Sequence, residues 1–267
     1  MPEFNVRDKV FFITGGASGI GRGLAEGVLA RQGKVFFIDV QEEAGQEAQN
    51  ELAATYGAIN VRFGKADVTN REGFQETFNL AVTIFGKVDV MVNNAGIVRE
   101  TRPAQVIAVN LLGAIYGTEI AMAHMRKDHG GRGGRVVNIS SLYGLIESPF
   151  LPVYGATKQG IRSYTQSLSL SPKLEEIGVE YATLHPDGVQ TSLVLNVQPG
   201  DILYLEELTK QFEEKYLQME KLVDAFFQLV SLEKMNGAAL LVKHGTKTFV
   251  ELSLEEKGDT FTVKPRL

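Results

Sequence analysis

KVFFITGGASGIG, residues 9–21, carries the reading of the fold. A run dominated by Val, Phe and Ile ends at Thr14, and glycines at 15, 16, 19 and 21 then lead into the helical pattern GRGLAEGVLARQG. A short apolar run closed by glycine reads as a buried strand, and the glycine-rich stretch after it reads as a tight turn opening a helix. Gly15, Gly19 and Gly21 let the backbone turn sharply, while the helix start offers unpaired N–H groups and the positive end of its dipole to a pyrophosphate. A glycine motif alone is weak evidence; the strand, loop and helix around it give this one its specificity.

The same rhythm recurs along the chain. KVFFID (34–39), VRFGKAD (61–67), VDVMVNN (88–94), GRVVNIS (134–140), VEYATLHP (179–186) and AALLVK (238–243) are separated by stretches of helical period such as REGFQETFNLAVTIFG. Several runs are almost continuously apolar, as strands covered on both faces must be, and strand-helix alternation implies a parallel sheet. The expected fold is therefore α/β: one doubly wound Rossmann domain over residues 1–267, with a seven-stranded parallel sheet and no linker or repeat.

Two segments break the rhythm. Between the sixth and seventh strands, about 188–232, DILYLEELTKQFEEKYLQMEKLVDAFFQLV mixes amphipathic spacing with Leu, Tyr and Phe. An insertion beside the carboxyl ends of the strands suits a substrate lid, and equally one or two more packed helices. After the seventh strand, KTFVELSLEEKGDTFTVKPRL alternates apolar and polar residues around Gly258-Asp259, as an edge hairpin or partner contact would.

Composition narrows the function classes. Net charge is -5 with Lys and Arg scattered, so no basic block recruits nucleic acid. Cysteine is absent, which removes disulfides, a thiolate nucleophile and thiolate metal ligands. His124, His129, His185 and His244 lack ligand spacing, so no metal is expected. No 18-residue apolar run or leader pattern is seen at MPEFNVRDKV, so the expectation is a soluble cytoplasmic protein without membrane association.

The chemistry-bearing residues fall at the strand ends. Asp39 closes the second strand, where a carboxylate can accept from both ribose hydroxyls and repel a 2′-phosphate, favouring NAD over NADP; alternatively it caps the following helix. Asp67 ends the third strand and suits the adenine end of a nucleotide or a helix cap. NNAG, 93–96, brings backbone without bulk to the same edge. In VYGATKQG, 153–160, Tyr154 and Lys158 stack one helical turn apart. A phenol near pKa ~10 becomes a base at neutral pH when neighbouring positive charge supplies ~3–4 kcal/mol. Ser140 and Ser141 end the fifth strand, where a hydroxyl can hold a substrate oxygen. Asn110 in AVNLLG is poorly suited to a helix, and reads as a core amide, a kink beside Gly113, or the holder of a proton-relaying water.

With TGGASGIG, NNAG, the Asn of AVNLLG, the serines of NISS and YGATK in this order, the chain resembles the short-chain dehydrogenase/reductase family over essentially its whole length. The resemblance implies Tyr154 as general acid/base, Lys158 as its tuner and ribose ligand, and Asn110 as part of a proton relay. Ser141 is the implied catalytic serine, thirteen residues before Tyr154. Cofactor contacts are implied for Gly15, Ser18, Gly19, Ile20, Gly21, Asp39, Asp67, Val68, Asn94, Ala95, Gly96, Tyr154, Lys158, Val189 and Thr191, and substrate contacts for Ser141, Tyr143, Leu151 and Tyr154.

GGRGGRVVNISSLYGL, PVYGATKQGI and the ending MNGAALLVKHGTKTFVEL are similar to the NAD-dependent 15-hydroxyprostaglandin dehydrogenase subgroup. That subgroup has Gln where this chain has Leu151, and the family's usual Pro-Gly after the sixth strand is Pro186-Asp187 here. Either Gly188 replaces that glycine after a local shift, or a carboxylate faces the nicotinamide region. His185 reads as a strand-end residue rather than a second base. The expected activity is NAD-dependent oxidation of a secondary alcohol on a hydrophobic substrate, a 15-hydroxyprostaglandin or related oxylipin. Rivals are an insect-type or terpenoid alcohol dehydrogenase, and a silent NAD-binding regulator. The family's helix packing implies a homodimer.

Overall fold

The computed structural model describes residues 4–266, apart from 192, 194–199, 213–215, 244, 245, 258 and 259. The chain runs β1 (Val10–Thr14), α1 (Gly19–Ala30), β2 (Lys34–Asp39), α2 (Glu42–Tyr56), β3 (Val61–Lys65), α3 (Arg71–Phe85) and β4 (Val90–Asn93). One long helix comes next in three parts: α4 (Pro103–Ile107), a π turn (Ala108–Leu112) and α5 (Gly113–Met125). After it stand β5 (Gly134–Ile139), a 3-10 turn (Leu142–Gly144), α6 (Pro152–Ser169), α7 (Leu174–Ile177) and β6 (Val179–Pro186). The chain then forms α8 (Leu205–Phe212), α9 (Met219–Val230), β7 (Ala239–Lys243), β8 (Thr246–Phe249), β9 (Glu251–Lys257) and β10 (Thr260–Arg266).

The main sheet has the order β3-β2-β1-β4-β5-β6-β7-β8. Its direction of growth reverses between β1 and β4, which pair in parallel with Ile13 opposite Val92, and α/β sheets open their binding crevice at such a point. Period-2 geometry sends alternate residues of each strand to opposite faces. Phe11, Ile13, Phe37 and Val92 pack with α1, α2 and α9 on one side, whereas Phe12, Phe36, Ile38 and Met91 pack with α3 and α5 on the other. Burial on both faces is why these strands are nearly continuous in Val, Ile and Phe.

The structure extends the sequence expectation. Seven strands are parallel as expected, but an eighth, β8, pairs antiparallel with β7 and forms the sheet edge. β9 and β10 pair with each other antiparallel in a separate two-stranded ribbon. The segment 188–232 divides in function: Leu222, Phe226 and Val230 of α9 are fully buried in the main core, so α9 is a core helix rather than part of a cover. Ile202 and Leu208 pack elsewhere, on Leu151 and Tyr154.

The helix Pro103–Met125 is long and apolar enough to cross a membrane, with mean hydropathy 1.6. It lies against the sheet instead, burying Ala114, Ile120, Ala121 and Met125. Phe12 is the centre of that side, with ring centroids 5.4 Å from Phe36, 6.0 Å from Phe74 and 5.1 Å from Phe78. Replacing Phe12 by Ala removes three aromatic contacts from a site that cannot collapse, and the expected loss is about 3–5 kcal/mol in a urea unfolding titration.

Candidate active site

The carboxyl ends of β1, β2, β4, β5 and β6 gather the polar residues. At β1, Gly15 takes φ 65°, and a Cβ on Gly21 would stand 2.1 Å from the Gly15 carbonyl oxygen, so the loop and α1 meet at a distance only glycine permits. Asn94 ties β4 to this loop, donating through Nδ2 to the Thr14 carbonyl at 2.9 Å and the Gly15 carbonyl at 3.1 Å. Thr14 Oγ1 accepts from the N–H groups of Asn94 and Ala95, both at 2.9 Å. Ser18 occupies the N-cap position of α1, and no acidic side chain stands in the first turn to oppose an anion there. Thr191 lies beside the loop, its Cβ 3.3 Å from where a Gly19 Cβ would stand.

Asp39 is 8% exposed, and its two oxygens accept from the N–H groups of Ala17 at 3.2 Å and Gln41 at 3.1 Å. The carboxylate thus spans the glycine loop and the entry to α2, with lone pairs left for hydroxyl donors. Asp67 is exposed and forms a local turn, accepting from the N–H and hydroxyl of Thr69 at 2.8 and 2.7 Å. Asn70, not Asp67, caps α3 by accepting from Gly73 N–H. Val68 is buried against Gly113. Asp67, Asp39 and the glycine loop thus line up along the carboxyl edge of β3, β2 and β1, and the glycines let the loop, α1 and the Asn94-Ala95 backbone approach at distances a side chain would forbid. Among the described residues no group of His, Asp or Glu could hold a metal ion.

Tyr154, Lys158, Ile161 and Thr165 form the buried stripe of α6, recurring at helical spacing. Lys158 Nζ donates to the Ile139 carbonyl at 2.9 Å and lies 5.4 Å from the centroid of the Tyr154 ring. A Cβ on Gly96 would come within 3.6 Å of that Nζ and 3.4 Å of Asn110 Oδ1, so the NNAG backbone borders both side chains. Asn110 stands in the π turn and is fully buried, accepting from Ile97 N–H at 2.8 Å and donating to the Ile97 carbonyl at 2.9 Å. The distortion expected beside Gly113 is this turn, which aims the amide across to the strand ends instead of along the helix.

The structure separates the two serines. Ser141 is on the Tyr154 side, where its hydroxyl lowers the phenol pKa, and it accepts from Tyr143 N–H at 3.3 Å. Ser140 turns the other way, donating to the Lys158 carbonyl at 2.9 Å. Leu151, Tyr143, Ile202, Leu208 and Val98 form an apolar enclosure around Tyr154. Asp187 continues the strand, its N–H donating to the Val242 carbonyl at 2.9 Å, and its carboxylate accepts from Gly188 N–H at 2.8 Å. Its charge raises the Tyr143 phenol pKa as a smaller contribution after burial. Val189 is buried and bridges to Leu217.

Enclosure sets the electrostatics. Burial pushes the Tyr154 phenol up to about 12, against a smaller lowering by the Ser141 hydrogen bond and a further rise from Tyr143. Burial also brings Lys158 down to about 8, which leaves it mainly an ammonium at neutral pH. In the protein alone, desolvation therefore outweighs the pull of Lys158 on the phenol that the sequence suggests. His185, fully buried on β6, places Nδ1 3.0 Å from the Ser141 carbonyl and Nε2 2.8 Å from Thr183 Oγ1. It supports the Ser141 backbone from behind and has no path to solvent.

Glu100 carries no signal in the sequence. Its carboxylate accepts from Val153 N–H at 2.8 Å and Tyr154 N–H at 2.9 Å, partners more than fifty residues away in the chain. Nothing in the local pattern IVRETRP marks such a contact.

Residues 9–201 match the family model described as short chain dehydrogenase. The chain is 31% identical over 244 residues to 15-hydroxyprostaglandin dehydrogenase [NAD(+)] of Homo sapiens, covering 89% of this chain and 92% of that protein. It is 30% identical over 204 residues to the NADP-dependent (R)-specific alcohol dehydrogenase of Lentilactobacillus kefiri, covering 73% and 79%. A crystal structure of a short chain dehydrogenase/reductase from Burkholderia phymatum in complex with NAD superposes with TM-score 0.79 at 25% identity, covering 89% of this chain and 90% of that one.

Burial holds the His185 imidazole neutral by bringing its pKa down to about 4; a smaller rise comes from the Ser141 carbonyl and smaller lowering from Arg162 and Lys158. Because the unfolded chain binds this proton near pH ~6.5 and the folded chain only near 4, stability falls as pH drops through that window. Urea titrations between pH 7 and 4.5 should show wild type losing roughly 2–3 kcal/mol more than His185→Gln.

Proposed function

The chain belongs to the short chain dehydrogenase family, an oxidoreductase family, and from that premise we propose that it oxidises a secondary alcohol on a hydrophobic substrate to the ketone with NAD. The observation that carries this reading is the buried group of Tyr154, Lys158, Ser141 and Asn110 at the strand ends, next to the glycine loop.

Gly15, Ser18, Gly19, Ile20 and Gly21 would hold the cofactor pyrophosphate, and Asp39 the adenosine ribose. Asp67 and Val68 would border the adenine; Asn94, Ala95, Gly96, Val189 and Thr191 would border the nicotinamide half. When bound, NAD supplies the hydride acceptor and a positively charged ring. Ser141 orients the substrate oxygen against Tyr154 Oη. As the carbinol hydrogen leaves as hydride, the hydroxyl proton passes to Tyr154, and Lys158 with Asn110 carries protons between that oxygen and solvent. Asp39 sets the preference for NAD, since a 2′-phosphate would face a buried carboxylate.

The substrate is a 15-hydroxyprostaglandin or related oxylipin on this reading. The relative in Homo sapiens supports it, together with the apolar enclosure of Leu151, Ile202 and Leu208. Leu151 itself favours a second reading, a terpenoid or insect-type secondary alcohol with no polar group at that wall. The protein is proposed to be a soluble cytoplasmic homodimer. Ile107 and Leu112, 42% and 39% exposed on the Asn110 helix, supply apolar surface for the second copy.

Prostaglandins, hydroxy fatty acids, steroids and terpenols should be offered with NAD and with NADP. Reduction of NAD by an apolar secondary alcohol is expected, with Tyr154→Phe lowering turnover by roughly 10³-fold while NAD binding persists. Preference for NADP overturns the role given to Asp39; NAD-dependent thermal stabilisation without turnover on any alcohol replaces the enzyme with a silent binder. Light scattering at micromolar concentration should return twice the 29.2 kDa chain mass, and a monomer would refute the dimer.

A further inference from the structure

Helix α6 begins with a deficit. Pro152 at its first position has no N–H, Leu151 at the N-cap offers no side-chain hydrogen bond, and Gly155 N–H is the first to find a helical carbonyl, that of Leu151, at 2.8 Å. The N–H groups of Val153 and Tyr154 remain, and each is taken by one oxygen of Glu100. Glu100 is 8% exposed, so this carboxylate is enclosed with the helix end whose dipole favours its charge. Its own N–H donates to the Asp201 carbonyl at 2.6 Å, directly before Ile202, which covers Tyr154. Three residues earlier, Ile97 holds both polar ends of the Asn110 amide.

We infer that Glu100 is a positioning residue: it clamps the first turn of α6 and so fixes where the Tyr154 phenol stands relative to Ser141 and Lys158. The inference rests on the proposed role of Tyr154 as proton carrier. Both oxygens are needed, because two adjacent N–H groups face them. A glutamine keeps the size of the side chain but turns an NH₂ group toward one of those donors, and the first turn must then retreat. Since Tyr154 is itself one of the two clamped residues, its ring moves with that turn. Lys158, on the same helix, stands 5.4 Å from the centroid of the Tyr154 ring, Glu100 meets the backbone of that turn from the loop after β4, and Tyr143, from the 3-10 turn, is the adjoining titratable group that raises the phenol pKa.

Glu100→Gln and Glu100→Asp should be compared in the full-length protein saturated with NAD. The readout is phenolate absorbance against pH, taken as the difference from the same protein carrying Tyr154→Phe, alongside turnover of the best alcohol from the panel. Removing a negative charge without moving the helix would ease ionisation and shift the Tyr154 titration to lower pH. Positioning predicts the opposite: in Glu100→Gln the titration moves to higher pH as the phenol leaves Lys158, and kcat falls by roughly 10²-fold with KM for NAD little changed. Glu100→Asp, with its charge kept and its reach shortened, should lie between. A titration that is unchanged or shifts downward, with only a lower unfolding temperature, reduces Glu100 to a stabilising cap and overturns the inference. Should Glu100→Gln fail to fold, Glu100→Asp is judged by the same direction of shift. The titration needs no substrate, so a missing activity and a failed positioning role give different results.

Discussion

Covering both faces of the sheet constrains everything else in this protein. Phe11 and Phe37 on one face and Phe12 and Phe36 on the other are fully buried, and polar residues within strands, such as Asn138 and Thr183, are sealed in the core against side-chain partners. Chemistry is left to the strand ends. The reversal between β1 and β4 then decides which end region opens, because the connections leave the two strands in opposite directions and part there. The glycine loop, NNAG and the NISS serines all lie at that edge for one topological reason.

What holds the site together is a set of bonds from side chains to backbone. Asn94 fastens β4 to the glycine loop, Asn110 fastens the π turn to Ile97, Lys158 fastens α6 to β5, and Glu100 fastens the loop after β4 to the start of α6. A buried hydrogen bond contributes only about 1 kcal/mol net, but an orphaned partner costs about 1–3 kcal/mol. The geometry is therefore kept less by the strength of any contact than by the penalty for losing it. His185 belongs to the same set: a neutral imidazole behind Ser141 supports that turn without adding a charge to the enclosure.

The parts legible in the sequence are those whose cause is local or periodic. Strands covered on both faces reveal themselves by unbroken Val, Ile and Phe, and the glycine loop by spacing. The tail's alternation reads as an edge hairpin, but the strand that takes the sheet edge is β8, TKTF, whose four residues have no apolar run to show, while β9 and β10 pair apart from the main sheet. α9 reads as part of a cover because amphipathic spacing tells that a helix has an apolar face without saying what it meets; that face lies on α1 and the main core. Asp67 suits a helix cap by its place after a strand, yet the task falls to Asn70 three residues on. Glu100 is invisible because its partners lie on another element, and nothing in IVRETRP encodes them.

The electrostatics give the enclosure a further meaning. The same dryness that lifts Tyr154 to about 12 brings Lys158 down to about 8, so at neutral pH the pair rests mainly as neutral phenol and ammonium. A phenol in that state does not take a proton from an alcohol. On the proposed reading, a second positive charge beside the ring is what favours the phenolate, and an oxidised nicotinamide is such a charge. Apolar walls at Leu151, Ile202 and Leu208 strengthen that effect by excluding water, since the attraction between charges grows as the local dielectric falls. The cover over Tyr154 would thus do two things at once: select an apolar substrate, and make the proton carrier ready only when the hydride acceptor is in place.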